Sequence, residues 1–169
     1  RLIRVAASQN ANPDLAETIL GHGDTAKWVD ALATAPYIWI DLGGHGSGET
    51  DRVFAQMPRA IDATFAFAQA NRDVARRHGK RFLTYEGGQH LVTKDMVLAH
   101  AVQRDPRMGA AYDRYLARWR DEMGGDLALY ASTTPISEYG SWGLLEYGGQ
   151  PLAEAPKMQA VQRFLKGRR

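Results

Sequence analysis

An α/β fold with parallel strands is what this sequence predicts, and three observations carry the prediction. Short apolar segments alternate with stretches of helical periodicity, four times along the chain. The short segments are continuously apolar rather than alternating, as strands with both faces buried are. Polar and aromatic residues gather after each of them, where α/β folds build their sites: Asn10 and Asn12, Tyr37, Glu86 and Gln89, then Ser132 to Trp142. With 169 residues, 44% of them hydrophobic, the chain can bury a core as one domain over 1–169.

Leu2 to Ser8 (LIRVAAS) reads as a buried strand that ends in the polar cluster Gln9 to Pro13. Asn12 is an N-cap, Pro13 suits a first helical turn and Asp14 suits the positive helix end. That helix runs through Leu15, Ile19 and Leu20 to Gly21, and a short one follows around Ala26 to Val29. The second strand is Asp30 to Tyr37; Pro36 marks its end because proline offers no N–H to a ladder. Ile38 to Thr50 (containing IWIDLGGHGSGE) is expected to be a long functional loop.

Met57 to His78 is helical, with Ile61, Phe65, Ala68 and Ala75 on one face and Arg72, Arg76 and Arg77 towards the negative end. Arg81 to Tyr85 forms the third strand, broken by Glu86-Gly87-Gly88. Helices over Lys94 to Gln103 and Pro106 to Met123 follow, the second placing Met108, Tyr112, Tyr115, Leu116 and Trp119 in the core. Leu127 to Ser132 (LALYAS) is the fourth strand, Ser132 to Gly149 a polar and aromatic loop, and the last helix starts at Pro156 with Val161, Phe164 and Leu165 apolar.

Composition excludes several chemistries. The chain has no Cys, so a disulfide scaffold, a thiolate metal site and a cysteine nucleophile are ruled out. Lys and Arg number 21 against 19 Asp and Glu, with the signs interspersed, which gives no basis for nucleic-acid binding. No apolar stretch is long enough to span a bilayer, and the opening Arg-Leu-Ile-Arg is neither an initiator Met nor a signal peptide, so it reads as the interior of a longer protein. Gly43 to Glu49 lacks the order of a dinucleotide loop and the lysine of a P-loop; with Asp41, His45 and Glu49 it reads as a lid. Gly46-Ser47-Gly48 lacks the five-residue frame of a nucleophile elbow.

The strongest signal is Tyr85-Glu86-Gly87-Gly88-Gln89-His90. A carboxylate at the end of a buried strand, followed by glycines that let the chain turn, presents an acid at a cleft floor; the same residues also suit a surface turn. His90 serves as a proton donor, a substrate hydrogen-bonder or a helix cap, and no second His or Asp stands near it at metal-ligand spacing. Ser141-Trp142-Gly143 either lays an indole open as a sugar platform or buries it under the loop. Tyr139, Glu138, Glu146 and Tyr147 share that loop, and Trp39 carries the same two readings as Trp142.

Taken together, Ala35-Pro36-Tyr37, Thr84 to His90, Tyr139 to Gly143 and Glu146-Tyr147 resemble the C-terminal half of retaining glycoside hydrolases with a TIM barrel, particularly an uncharacterised group of bacterial polysaccharide-related proteins. The resemblance covers nearly the whole chain. It implies strands five to eight of the barrel, a (β/α)4 half, with Glu86 as catalytic nucleophile and Trp142 flooring the central sugar subsite. It further implies that Tyr37 hydrogen-bonds near Glu86, and that Asn10, Gln89, His90 and Tyr139 contact an oligo- or polysaccharide. No residue matches the family's general acid/base, and a complete barrel needs about 250 residues. A homodimer or a missing N-terminal half is therefore expected, with Glu49, Glu138 and Glu146 as candidate second carboxylates. No metal or cofactor is called for. A cell-wall-type substrate implies a secreted or periplasmic protein, although no export signal is present. The competing expectations are a non-catalytic carbohydrate-binding or assembly module and an α/β protein of unrelated chemistry.

Overall fold

The computed structural model describes residues 2–167 and is a mixed α/β structure with a parallel sheet. Its contacts separate two compact units, one of Arg1–Tyr37, Asp62–Gly87 and Trp119–Leu129, the other of Ile38–Ile61, Gly88–Arg118 and Tyr130–Arg169.

The first unit is built on a parallel sheet of β1 (Val5–Ala7), β2 (Ala31–Thr34) and β4 (Arg81–Thr84), in the order β1-β2-β4. Val5 pairs with Ala31, and Ala31 with Arg81. Helix α1 (Pro13–Gly21) follows β1, with Asn12 Oδ1 accepting the Leu15 N–H at 3.2 Å, as the cap residues led one to expect. A single turn, α2 (Thr25–Trp28), leads to β2. All four residues of β2 are buried. β1 departs from the expected buried strand: Leu2, Ile3 and Val5 are 82%, 48% and 44% exposed, because β1 is an edge strand that pairs with β2 alone. Trp119 anchors the core of this unit, edge-on to Phe65 and tilted over Phe82, each at 6.2 Å.

The expected fourth strand at 127–132 is not one. Thr84 intercepts its ladder: the Thr84 N–H reaches the Asp126 carbonyl at 3.1 Å, but the Ala128 N–H is taken by the Thr84 hydroxyl at 2.6 Å. Ala131, at φ 57°, then turns the chain through the left-handed region. The segment runs beside β4 without becoming part of the sheet.

In the second unit, Ile38, Ile40 and Leu42 are buried while Trp39 and Asp41 face solvent. That alternation marks β3 (Tyr37–Trp39), which pairs with β5 (Gly88–His90), where the sequence leads one to expect the end of the second strand at Tyr37, loop at 38–39 and a turn and loop at 88–90. Tyr37 thus opens β3, and β2 stops three residues earlier, ahead of Pro36. Helix α3 (Thr50–Arg77), which belongs to this unit up to Ile61 and to the first unit from Asp62, begins a full two turns before the expected Met57. Pro58 lies inside it, at a local cost of about 3 kcal/mol, which burial of Val53 and Phe54 on the added turns opposes. Helices α4 (Met96–Arg104), α5 (Pro106–Arg118) and α6 (Pro156–Lys166) complete the unit. Gly109 lets α6 approach α5, since a Cβ there would stand 3.0 Å from the Pro156 carbonyl. The expected single helix to Met123 stops at Arg118 and becomes a π-helical turn over Trp119–Met123, where the Gly124 N–H returns to the Trp119 carbonyl at 3.1 Å.

Candidate functional site

Asn10, Tyr37 and Glu86 belong to the first unit; Glu49, Gln89, His90, Glu138, Tyr139, Trp142 and Glu146 belong to the second. Two groups of residues therefore have to be described.

In the first unit the C-terminal ends of the parallel strands carry Ser8, Thr34 and Thr84, all buried. Thr34 Oγ1 donates to Asn10 Oδ1 at 3.0 Å, and Asn10 Nδ2 donates to the Thr64 carbonyl at 3.2 Å. Asn71, fully buried on α3, donates to the Asn10 carbonyl at 2.8 Å. Asn10 thus ties the loop after β1 to the end of β2 and to α3. Thr64 Oγ1 in turn donates to the Tyr37 carbonyl at 3.0 Å. Tyr85 and Glu86 follow β4 at this end of the sheet. The Tyr85 N–H binds the Thr34 carbonyl, and its hydroxyl reaches the Ser8 carbonyl at a long 3.5 Å. Burial, then the neighbouring Glu86 charge, raises the pKa of the Tyr85 phenol. Glu86 is half-buried, and among the described residues no hydrogen bond or ion pair holds its carboxylate. Ser8 Oγ is buried without a partner in the same region. The group can present one carboxylate to a ligand arriving over the strand ends.

In the second unit Trp142 is framed by glycines for steric reasons. A Cβ on Gly140 would enter the Trp142 ring, and one on Gly143 would strike the Leu145 carbonyl and, at 2.5 Å, the Thr134 nitrogen. The indole N–H donates to His90 Nδ1 at 3.0 Å, which leaves the His90 proton on Nε2; the two rings lie 5.8 Å apart and nearly parallel. Tyr130 meets the indole edge-on at 5.7 Å. Burial lowers the His90 pKa, so the ring is neutral at neutral pH. Tyr139 is 74% exposed. The aromatic group is half-open and offers both flat apolar area and polar edges.

Gln89 is buried, with both amide hydrogens committed: to Gln103 Oε1 at 3.2 Å and to the Ser141 carbonyl. Its Oε1 accepts the Leu91 N–H at 2.8 Å. The Gly88 backbone comes so near Tyr112 that a Cβ would stand 2.8 Å from the phenol oxygen, and the Gln89 N–H donates to that oxygen at 3.2 Å. Lys157 joins this cluster by donating to the same Ser141 carbonyl at 2.6 Å. It is buried, and burial pushes its pKa down to about 7 against the opposing pull of Glu146. A cavity of about 10 Å³ beside it, lined by Gln103, Ser141, Glu146, Gln150 and Lys157, has room for about one water. Gln89 and Lys157 together fasten the loop that displays Trp142.

The candidate second carboxylates differ sharply. Arg104 grips Glu146 with two hydrogen bonds, at 2.8 and 2.6 Å, and holds its pKa low. Glu49 accepts the Gly46 N–H at 2.7 Å and Arg52 at 3.0 Å, and its pKa is lowered too, by the Gly46 N–H first. Glu138 is exposed. Among the described residues no three acids or histidines converge as a metal ion would require, and no helix is long and apolar enough to cross a membrane.

Sequence reasoning missed Lys157, Gln103, Asn71 and Ser8. Ser8 closes an apolar run and had a readable signal. Lys157 had none, because a lysine beside Pro156 at a helix start is ordinarily solvated. No protein-family model matches the chain, nor does any curated protein or solved structure.

Proposed function

We propose that this chain is the nucleophile-bearing half of a glycoside hydrolase for a β-linked polysaccharide, with Glu86 as the nucleophile. The observation that carries the reading is the position of Glu86 just beyond parallel strand β4, half-buried and without a partner among the described residues. A carboxylate so placed is free to attack an anomeric carbon. As its oxygen bonds to that carbon the glycosidic bond breaks, and a second carboxyl group must give the leaving oxygen its proton, from about 5 to 5.5 Å away. Glu49 and Glu146 are unsuited to that task, since their hydrogen-bond donors favour the ionised form. The acid is then supplied from outside the described residues. The parallel order β1-β2-β4 with helical crossovers supplies three of the four strands that half of a (β/α)8 barrel needs, and the exposed edge of β1, with Leu2, Ile3 and Val5, suits closure by a second copy or by an N-terminal half. Such a substrate lies outside the cell, which implies export.

A second reading, a carbohydrate-binding or assembly module without turnover, is favoured by the ionised state of Glu49 and Glu146 and by the half-open Trp142 group. One experiment separates the two. The chain and its Glu86→Gln and Trp142→Ala variants are assayed on a panel of β-glycans for released reducing ends and for binding, with native mass measured in parallel. Hydrolysis lost in Glu86→Gln with binding retained supports the glycosidase. Binding that depends on Trp142 with no hydrolysis by any oligomer supports the module. Glu86→Gln hydrolysing at the parental rate excludes Glu86 as nucleophile.

A further inference from the structure

Away from the strand ends that carry Glu86, the first unit holds a cleft of about 420 Å³ lined by Arg72, Arg76, Lys80, Arg81 and Asp126, with Phe82, Met123, Gly124 and Gly125. We propose that this cleft binds the phosphate group of a small phosphorylated ligand. The inference is independent of the glycosidase reading.

The charges are the first ground. Four cations face the cleft and one acid does, and that acid is a weak partner: Asp126 is 86% exposed and lies 3.7 Å from Arg81. Among the described residues the Arg76 and Lys80 side chains have no hydrogen bond or ion pair. Arg72 is oriented rather than neutralised, as one end of its guanidinium donates to the Glu122 carbonyl while its Nε is buried without a partner. Complementing the dipole at the end of α3 accounts for Arg76. It gives no reason for Arg72, Lys80 and Arg81 to converge on the same space, where like charges repel.

The geometry is the second ground. Arg72 and Arg76 stand four residues apart on α3 and so share a face. Gly79, at φ 67°, turns the chain so that Lys80 and Arg81 follow at the start of β4. The opposite wall is glycine backbone. A Cβ at Gly125 would stand 2.5 Å from the Phe82 carbonyl, and space beside Gly124 is open. The planar forks of Arg72, Arg76 and Arg81 suit two or three oxygens of one tetrahedral dianion, and Lys80 adds a point charge. The volume falls within the roughly 300–1,000 Å³ typical of small-ligand pockets. An extended nucleic acid is disfavoured because the excess charge is confined to this concavity, in a chain of net charge +2.

The test is titration of the intact ¹⁵N-labelled chain with inorganic phosphate at constant ionic strength held by chloride, read by amide shifts. Saturable shifts confined to Arg72–Phe82 and Met123–Asp126 are expected. The double variant Arg76→Ser/Lys80→Ser removes two side chains without a hydrogen bond or ion pair among the described residues and forfeits only the small dipole contribution of Arg76, so the fold is retained, and it should weaken phosphate binding about tenfold or more. Shifts that chloride alone reproduces would overturn the proposal. So would an unchanged affinity in the double variant, or binding of a single-stranded RNA oligomer at this face with none of phosphate.

Discussion

Replacing Lys157 with methionine tests the buried polar cluster that fastens the Trp142 loop. The lysine is 4% exposed, and its pKa falls from 10.5 to about 7 on folding, burial being the larger cause and Glu146 opposing it. A base whose folded pKa lies below its unfolded one binds a proton more readily in the unfolded chain. Between about pH 7 and 10.5 stability therefore rises with pH, by at most about 1.4 kcal/mol per unit and about 5 kcal/mol across the whole window. Below about pH 7 both states are protonated and the full penalty persists unchanged. Methionine has a similar volume and no charge, and Ser141 keeps its hydrogen bond from Gln89. Urea unfolding of both proteins across this range cancels the other titrating groups. Lys157→Met should be the more stable protein at or just below pH 7, by about 1–4 kcal/mol. That lead should shrink by about 2 kcal/mol between pH 7 and pH 9. A lead that stays constant over that range would refute the reasoning, since it would mean the ammonium loses no solvation on folding.

Three further substitutions probe particular contacts. Gly143→Ala drives a methyl into the Leu145 carbonyl and the Thr134 nitrogen; the loop must shift, lowering stability by about 1–3 kcal/mol and changing the near-ultraviolet dichroism of Trp142. Trp119→Leu removes the ring contacts to Phe65 and Phe82 and the 2.8 Å hydrogen bond to the Gly125 carbonyl. Its urea midpoint should fall by the equivalent of about 3 kcal/mol, and a change under about 0.5 kcal/mol, the size of an ordinary surface substitution, would show that the indole is not a core anchor. Asn12→Ala removes the cap of α1 and should cost about 1 kcal/mol, with amide exchange rising first at Leu15.

Local chemistry was readable wherever the deciding interaction lies close in the chain. Asn12, Pro13 and Asp14 start α1 because a cap needs only its own next three residues. The period of Met108, Tyr112, Tyr115 and Leu116 buries one face of α5 for the same reason. The alternation of Ile38, Ile40 and Leu42 was equally local, yet the glycines that follow hid it. Strand status at 127–132 was not readable: its apolar run looks like a strand, and a single hydroxyl 44 residues away, on Thr84, takes the N–H that a ladder needs. Of the candidate site, Glu86 after a parallel strand and Trp142 between obligatory glycines were legible. Which carboxylates stay ionised was not, since Arg104 reaches Glu146 across 42 residues.

By itself, then, the sequence determined the α/β class, the starts of α1 and α6, and the residue types able to carry chemistry, because periodicity and capping act over a turn or two. Only the tertiary structure decided that β1 is an exposed edge, that Gln89 and Lys157 converge on one carbonyl, and that four cations from α3, β4 and the turn between them share one cleft. Those outcomes depend on which distant groups come within hydrogen-bonding or Coulombic range, and chain separation does not encode that distance.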